Sequence, residues 1–162
     1  MNIFIKLIFN ILFFGLLTIN IVLADEVVKI SMIGDILMHQ LATKGSFISN
    51  STYNFDYMFE KFNVNIKKFD VNIVNLEIVL CAKKFGIKYF PRFSNRFEIA
   101  DSLVNFGYNV ILNATNHLYD YGKEEIQTEL EEWKQKYPNV EVTGAYLTKE
   151  DSNKITYYKK GN

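Results

Sequence analysis

Apolar and polar positions fall in blocks along the chain, and the period within each block predicts an element. Val27-Val28-Lys29-Ile30-Ser31-Met32-Ile33 is nearly continuous and β-branched, as expected of a strand covered on both faces and ending at Gly34. The polar residues 42–54, with Gly45, Ser46, Ser49 and Ser51, predict a loop after a short turn around Ile36 to Gln40. Phe55, Met58, Phe59, Phe62, Ile66 and Phe69 then recur at helical spacing, so an amphipathic helix is expected from Asp56 to Lys68 with its aromatic stripe in the core. Val71 to Leu76 is a second strand, running into Glu77. The long connection from Ile78 to Asn95 carries Tyr89-Phe90-Pro91-Arg92-Phe93, and connections of that length inside a compact domain tend to be functional.

Phe97 to Asn105 reads as a short helix, with Ile99, Leu103 and Phe106 on one side and Gly107 placed to end it in the left-handed conformation. Val110-Ile111-Leu112 is the third strand. Beyond Gly122, Ile126, Leu130, Trp133 and Tyr137 repeat at helical spacing, Glu124, Glu125, Glu129, Glu131 and Glu132 are expected to face water, and Pro138 stops the helix. Val140 to Val142 is a short fourth strand and Ile155 to Tyr158 one more. Strands alternating with helices at this spacing predict an α/β fold of right-handed βαβ units around a mostly parallel sheet.

Ahead of the first strand the pattern changes. Lys6 supplies a positive start, Leu7 to Leu23 is apolar apart from Asn10, Thr18 and Asn20, and Val22-Leu23-Ala24 has the small-residue form of a signal-peptidase site. Residues 1–24 are therefore expected to be a signal peptide, with the mature chain starting at Asp25. The alternative is an uncleaved anchor through residues 3–23, since that length approaches the roughly 20 residues a spanning helix requires. On either reading the domain lies on the extracellular side of the cytoplasmic membrane, secreted or membrane-anchored.

Composition narrows the function classes. With 49% hydrophobic and 15% aromatic residues the chain can bury a core as one domain. Lys and Arg equal Asp and Glu at 18 each, so no basic field exists to attract nucleic acid, and that class of partner is set aside. The single cysteine, Cys81, excludes an intramolecular disulfide and a cysteine-based zinc site, and reads as a small buried or loop residue.

Three strands run into residues that carry chemistry, and loops at the carboxyl ends of neighbouring parallel strands converge. Asp35, after Gly34, offers hard oxygen donors to a divalent metal; a simple turn is the other reading. His39 is a second ligand, a proton donor or a surface imidazole. Glu77 ends an apolar strand, where its charge is costly unless paired or metal-bound. Asn116-His117 supplies a carboxamide oxygen and an imidazole, both able to hold a metal, against the reading of a helix-capping Asn beside an ordinary His. Asp120 either orients the His117 ring or caps the following helix. Arg92, after Pro91, suits a carboxylate or phosphate oxygen pair, or packs against backbone carbonyls.

The order of these stretches resembles one family. Gly34-Asp35, Tyr53 to Phe59, Asn75-Leu76-Glu77, Tyr89 to Phe93, Phe97 to Ile111 and Asn116 to Gly122 are similar to the CapA family, which is associated with poly-γ-glutamate capsule synthesis. The resemblance implies a fold like the first half of a calcineurin-like metallophosphatase, an α/β/β/α sandwich. It further implies a divalent metal ion (manganese, zinc or iron) at Asp35, Glu77, Asn116 and His117, with His39 and His117 as candidate catalytic groups, Arg92 as a substrate-binding residue and Asp120 behind the metal site. The implied partners are an anionic capsular polymer or capsule-synthesis membrane proteins. A metal-dependent phosphoesterase or hydrolase is the enzymatic alternative, and an inactive remnant or binding module the third reading. Thr115-Asn116-His117 stands where the family has Asn-Asn-His, and Phe93-Ser94-Asn95-Arg96 departs from the commoner Phe-Asn-Ser-Pro. The family's later strands and histidine motifs have no counterpart, so residues 25–162 are expected to be a truncated domain that binds metal weakly, turns over little, and leaves an unpaired sheet edge and an open apolar face.

Overall fold

Four short parallel strands organise the chain. In the computed structural model, which describes residues 27–61 and 66–159, they are β1 (Ile30–Ile36), β4 (Val71–Leu76), β5 (Val110–Leu112) and β6 (Glu141–Thr143), side by side in the order β1-β4-β5-β6. Between β1 and β4 lie α1 (Gln40–Gly45), an antiparallel hairpin of β2 (Phe47–Ser49) and β3 (Thr52–Tyr53), α2 (Asp56–Phe59) and a 3-10 turn at Ile66–Lys68. The remaining helices are α3 (Ala82–Phe85), α4 (Glu98–Phe106), α5 (Lys123–Lys136) and α6 (Lys149–Ser152). The fold is α/β with a parallel sheet, as the alternation of strand and helix patterns predicts, and it is consistent with part of a metallophosphatase-like architecture. The expected signal peptide or anchor lies outside the described residues. Among those described, no helix is long and apolar enough to cross a membrane.

The pleat of β4 separates two faces. Asn72, Val74 and Leu76 are buried, whereas Val71, Ile73 and Asn75 are half-buried. On the buried side Ile36, Val74, Leu76 and Ile111 join Ile99, Ala100, Leu103 and Phe106 of α4 with Phe59, Phe97 and Trp133 in one core. Opposite Val71 and Ile73 stand Ile30 and Met32, 58% and 63% exposed, so the other face is open along β1.

The first strand does not end at Gly34. Its pairing with β4 runs Ile33 to Val74 and then Asp35 to Asn75, so Gly34 is the extra residue of a bulge. That slip matters because successive side chains alternate faces. Without it Asp35 would face Leu76 in the core; with it Asp35 faces Asn75 on the open side, and Ile36 takes the core position.

Four further expectations are corrected. The residues expected to loop from 42 to 54 contain the end of α1 and the β2–β3 hairpin, whose turn holds Asn50 and Ser51 at positive φ (46° and 62°). Their apolar members Phe47 and Ile48 stay exposed, so no buried period marked the strands. The helix expected from Asp56 to Lys68 is described only as α2 and the 3-10 turn, with Phe62 in the undescribed stretch. Ile155 to Tyr158 forms no strand; the local order is α6, where Thr148 Oγ1 accepts the Asp151 N–H at 3.0 Å. Finally, Glu125 and Glu129 do not face water: they are 4% and 1% exposed. Elsewhere the patterns hold, with Gly107 ending α4 at φ 99° and Cys81 buried.

Candidate functional site

The carboxyl ends of β1 and β4 bring two acids together. Asp35 lies across from Asn75, whose Nδ2 donates to Asp35 Oδ1 at 2.6 Å. Two residues on, hence on the same side of the sheet, Glu77 continues β4, and its N–H donates to the Ile36 carbonyl at 3.2 Å. Burial pushes the Glu77 carboxyl above the ordinary carboxylate range; a hydrogen bond with Asp35 and that neighbour's charge push the same way, while His117 opposes them. Two carboxyls can share a hydrogen bond only if one of them keeps its proton.

His117 arrives on the turn after β5. Its Nδ1 stands 2.9 Å from Asp120 Oδ2, and the same oxygen accepts the backbone N–H of Phe93 at 2.7 Å. Both side chains are well enclosed, at 15% and 12% exposure. Of its two readings Asp120 takes the first, holding the imidazole; α5 begins after Gly122 with no side-chain cap. A carboxylate at Nδ1 fixes the proton there and leaves Nε2 as the free nitrogen of the neutral ring. The Phe93 ring, 2% exposed, packs edgewise between His117 and His39, with centroids 4.7 Å and 5.3 Å away.

The other candidates have contacts of their own. His39 precedes α1 and is exposed, its ring contact being Phe93. Arg92 is exposed, next to a cis Phe90–Pro91 peptide, and its guanidinium lies 5.5 Å over the Tyr121 ring. Asn116 is exposed, and its side chain makes no hydrogen bond among the described residues. Asp35 and Glu77 are thus joined, His117 is near enough to act on Glu77 by charge, and among the described residues no hydrogen bond or ion pair ties Asn116, His39 or Arg92 to them.

The donor chemistry fits a hard divalent cation in kind, since two carboxylates beside a carboxamide are oxygen donors. In number it is short. Among the described residues no group of three or more His, Cys, Asp or Glu side chains is set to hold an ion.

Three residues of this region escape a reading of isolated motifs. Asn75 was detectable, being two residues before Glu77 and so on its side of the strand. Phe93 lies in the singled-out loop, but nothing local says that two histidines flank it. Glu129 falls between Ile126 and Trp133 at spacings of three and four, inside the apolar stripe, although its charge suggests water.

Compared with known families, the chain matches the one described as bacterial capsule synthesis protein PGA_cap over residues 29–162, in agreement with the resemblance carried by its motifs. No curated protein and no solved structure matches it.

Proposed function

Because the chain belongs to the bacterial capsule synthesis protein family, we propose that it is an envelope protein that engages an anionic polymer of the poly-γ-glutamate type at the Asp35–Glu77 edge, on the extracellular side of the membrane. Family membership supports the association with capsule and envelope. The observation that carries the finer reading is the joined carboxylate pair at a strand-end edge. Such a pair repels a polycarboxylate, and a divalent cation (manganese, zinc or iron) bound there would supply the positive charge that lets carboxylates meet carboxylates. Asp35 and Glu77 would hold it, Asn75 fixing the Asp35 carboxyl. With so few ligands, binding is weak.

Titration calorimetry of the chain with manganese tests this, followed by polyglutamate binding with and without a chelator. Weak cation binding that is lost in Glu77→Gln, together with polymer binding that needs the cation, is the expected pair of results. Polymer binding indifferent to chelator and to Glu77→Gln sinks the proposal.

A metal-dependent phosphoesterase is the second reading, favoured by the His117–Asp120 pair. An imidazole held at Nδ1 by a carboxylate can pass a proton at Nε2. A phosphodiester assay with manganese, in the chain and in His117→Ala, separates the two: turnover abolished in the variant moves the enzyme reading to first place.

A further inference from the structure

Glu129 lies on α5, beneath the two loops that leave β4 and β5, and its carboxylate touches both. Its Oε2 accepts the backbone N–H of Leu80 at 3.0 Å, three residues beyond Glu77. Its Oε1 accepts Asn113 Nδ2 at 3.2 Å, four residues before His117, and Trp133 Nε1 at 3.4 Å. We propose that Glu129 is a positioning residue whose protonation switches how the root of the His117 loop is hydrogen-bonded to it, and so resets that loop relative to the segment after β4.

The chemistry of its partners makes the contact depend on the proton. A backbone N–H, an amide NH2 and an indole N–H all donate, so an ionised carboxylate satisfies the three together. A proton on either oxygen points at a donor, and one contact must give way. The place where it can give is Asn113. That residue is 1% exposed and its Oδ1 is buried with no hydrogen-bond partner. A half-turn of the amide brings Oδ1 to the protonated Glu129 O–H, satisfying the orphaned atom at the cost of the former N–H contact. The buried pair therefore has two hydrogen-bonded arrangements, one for each protonation state. With the proton on Oε1, Leu80 stays tied to Oε2 in both, while the root of the His117 loop changes partner.

The charged surroundings leave this titration near neutrality. Burial, the largest influence, pushes Glu129 up to about 7; Leu80, Asn113 and Trp133 pull it down, and Glu132 on the same helix adds to the rise. From the segment after β4 the nearby groups are Cys81, itself pushed up to about 11 chiefly by burial, and the lysines of α3. Lys83 pairs with Glu132 at 2.7 Å, and Lys84 pairs with Glu125, so both acidic neighbours on α5 are partly compensated. From the segment after β5 the group that faces Glu129 is Asn113, which is uncharged.

The latch gives the site reading a pH dependence, but it is intramolecular and is tested without metal or polymer. Trp133 is the chain's single tryptophan, so its indole N–H gives one unambiguous signal in a nitrogen-15 NMR spectrum. The full chain is titrated between about pH 5 and about pH 9, a range that spans neutrality. A His117→Gln background removes the imidazole's own titration from the loop. The expected result is a common midpoint near neutrality for the Trp133 indole, the Asn113 side-chain amide, the Leu80 N–H and the backbone amides of Thr115 and Asn116. Glu129→Gln, which keeps the shape and removes the charge, should flatten all of them. An indole signal that does not titrate overturns the proposal, as does an indole that titrates while Leu80 and the His117 loop stay still. Manganese titrations at both ends of the range keep the two readings apart. Cation binding without a common midpoint leaves the Asp35–Glu77 site and removes the latch, and a common midpoint without cation binding does the reverse.

Discussion

Glu77 and Glu129 are both carboxyls pushed above their ordinary range chiefly by burial, one at the end of β4 and the other on α5, bonded to the segments that follow β4 and β5. Glu77 is half-buried and meets another carboxyl, Asp35, at an edge where, among the described residues, Asn75 donates to Asp35. Glu129 is 1% exposed and, among the described residues, meets three donors and no like charge in contact. The first arrangement is unsatisfied when ionised and is relieved by something from outside, a proton or a cation. The second is satisfied when ionised and needs nothing further. Position relative to solvent, more than the residue type, decides which acid can exchange with a ligand and which is part of the scaffold.

The largest expected effect tests the scaffold side. Glu129→Ala orphans three buried donors and leaves a cavity, so the chain should lose about 4 kcal/mol in urea denaturation near neutral pH. Glu77→Ala should cost far less, since it removes a repulsion along with a hydrogen bond. Equal losses would erase the distinction between the two acids.

Next comes the pH dependence of stability. A carboxyl whose folded pKa lies above its unfolded value binds more protons when folded, so its contribution is complete below the ordinary 4.5 and is lost as pH rises through about 7. That window corresponds to about 3 kcal/mol for a change of this size. Melting curves across it should fall in the native chain and be flatter in Glu129→Gln. A native chain whose stability rises over the same window contradicts the assignment.

A smaller loss probes the contact between β6 and the His117 loop. Gly144 has φ +92°, and a Cβ there would stand 2.6 Å from the Ala114 nitrogen. Gly144→Ala should therefore cost about 2 kcal/mol by strain and displacement. Because Ala114 adjoins Asn113, the variant should also broaden the Asn113 side-chain signal. Asp120→Asn comes next, at about 1 kcal/mol, since it keeps the shape but weakens the bonds to Phe93 N–H and His117.

The strands and the two longer helices were legible because their apolar residues keep a period and are buried by it: Val74 and Leu76 along β4, Ile99, Leu103 and Phe106 along α4. The hairpin was not, because Phe47 and Ile48 are exposed and its turn is set by the backbone at Asn50 and Ser51. Within the site, Asp35, Glu77 and His117 could be placed at strand ends from sequence, since parallel strands bring those ends together. The side of the sheet that Asp35 takes could not. It follows from a one-residue slip at Gly34, a register property of two strands 40 residues apart. Glu129 was misplaced for a different reason. Charge is ordinarily a guide to the solvent side of a helix, and here three donors, two from the segments that follow β4 and β5 and one from α5 itself, override it.

The smallest effect on stability, and the sharpest probe of where the edge ends, belongs to Arg92. Its guanidinium lies over the Tyr121 ring at 5.5 Å on an exposed surface, where such a contact contributes about 0.5 kcal/mol. The Tyr121 hydroxyl donates to the Arg92 backbone carbonyl at 3.4 Å, a contact that survives truncation of the side chain. Arg92→Ala should therefore leave the urea midpoint nearly unchanged. An anionic polymer lying along the Asp35–Glu77 edge and reaching the Phe90–Phe93 loop would lose a positive partner, so its affinity should fall several-fold, and more at low salt than at high. Arg92→Lys separates charge from shape, restoring most of the affinity if long-range attraction suffices and little if a carboxylate is held by the two-pronged guanidinium. Unchanged polymer binding in both variants would confine the binding edge to Asp35, Asn75 and Glu77 and leave Arg92 as a residue stacked on Tyr121.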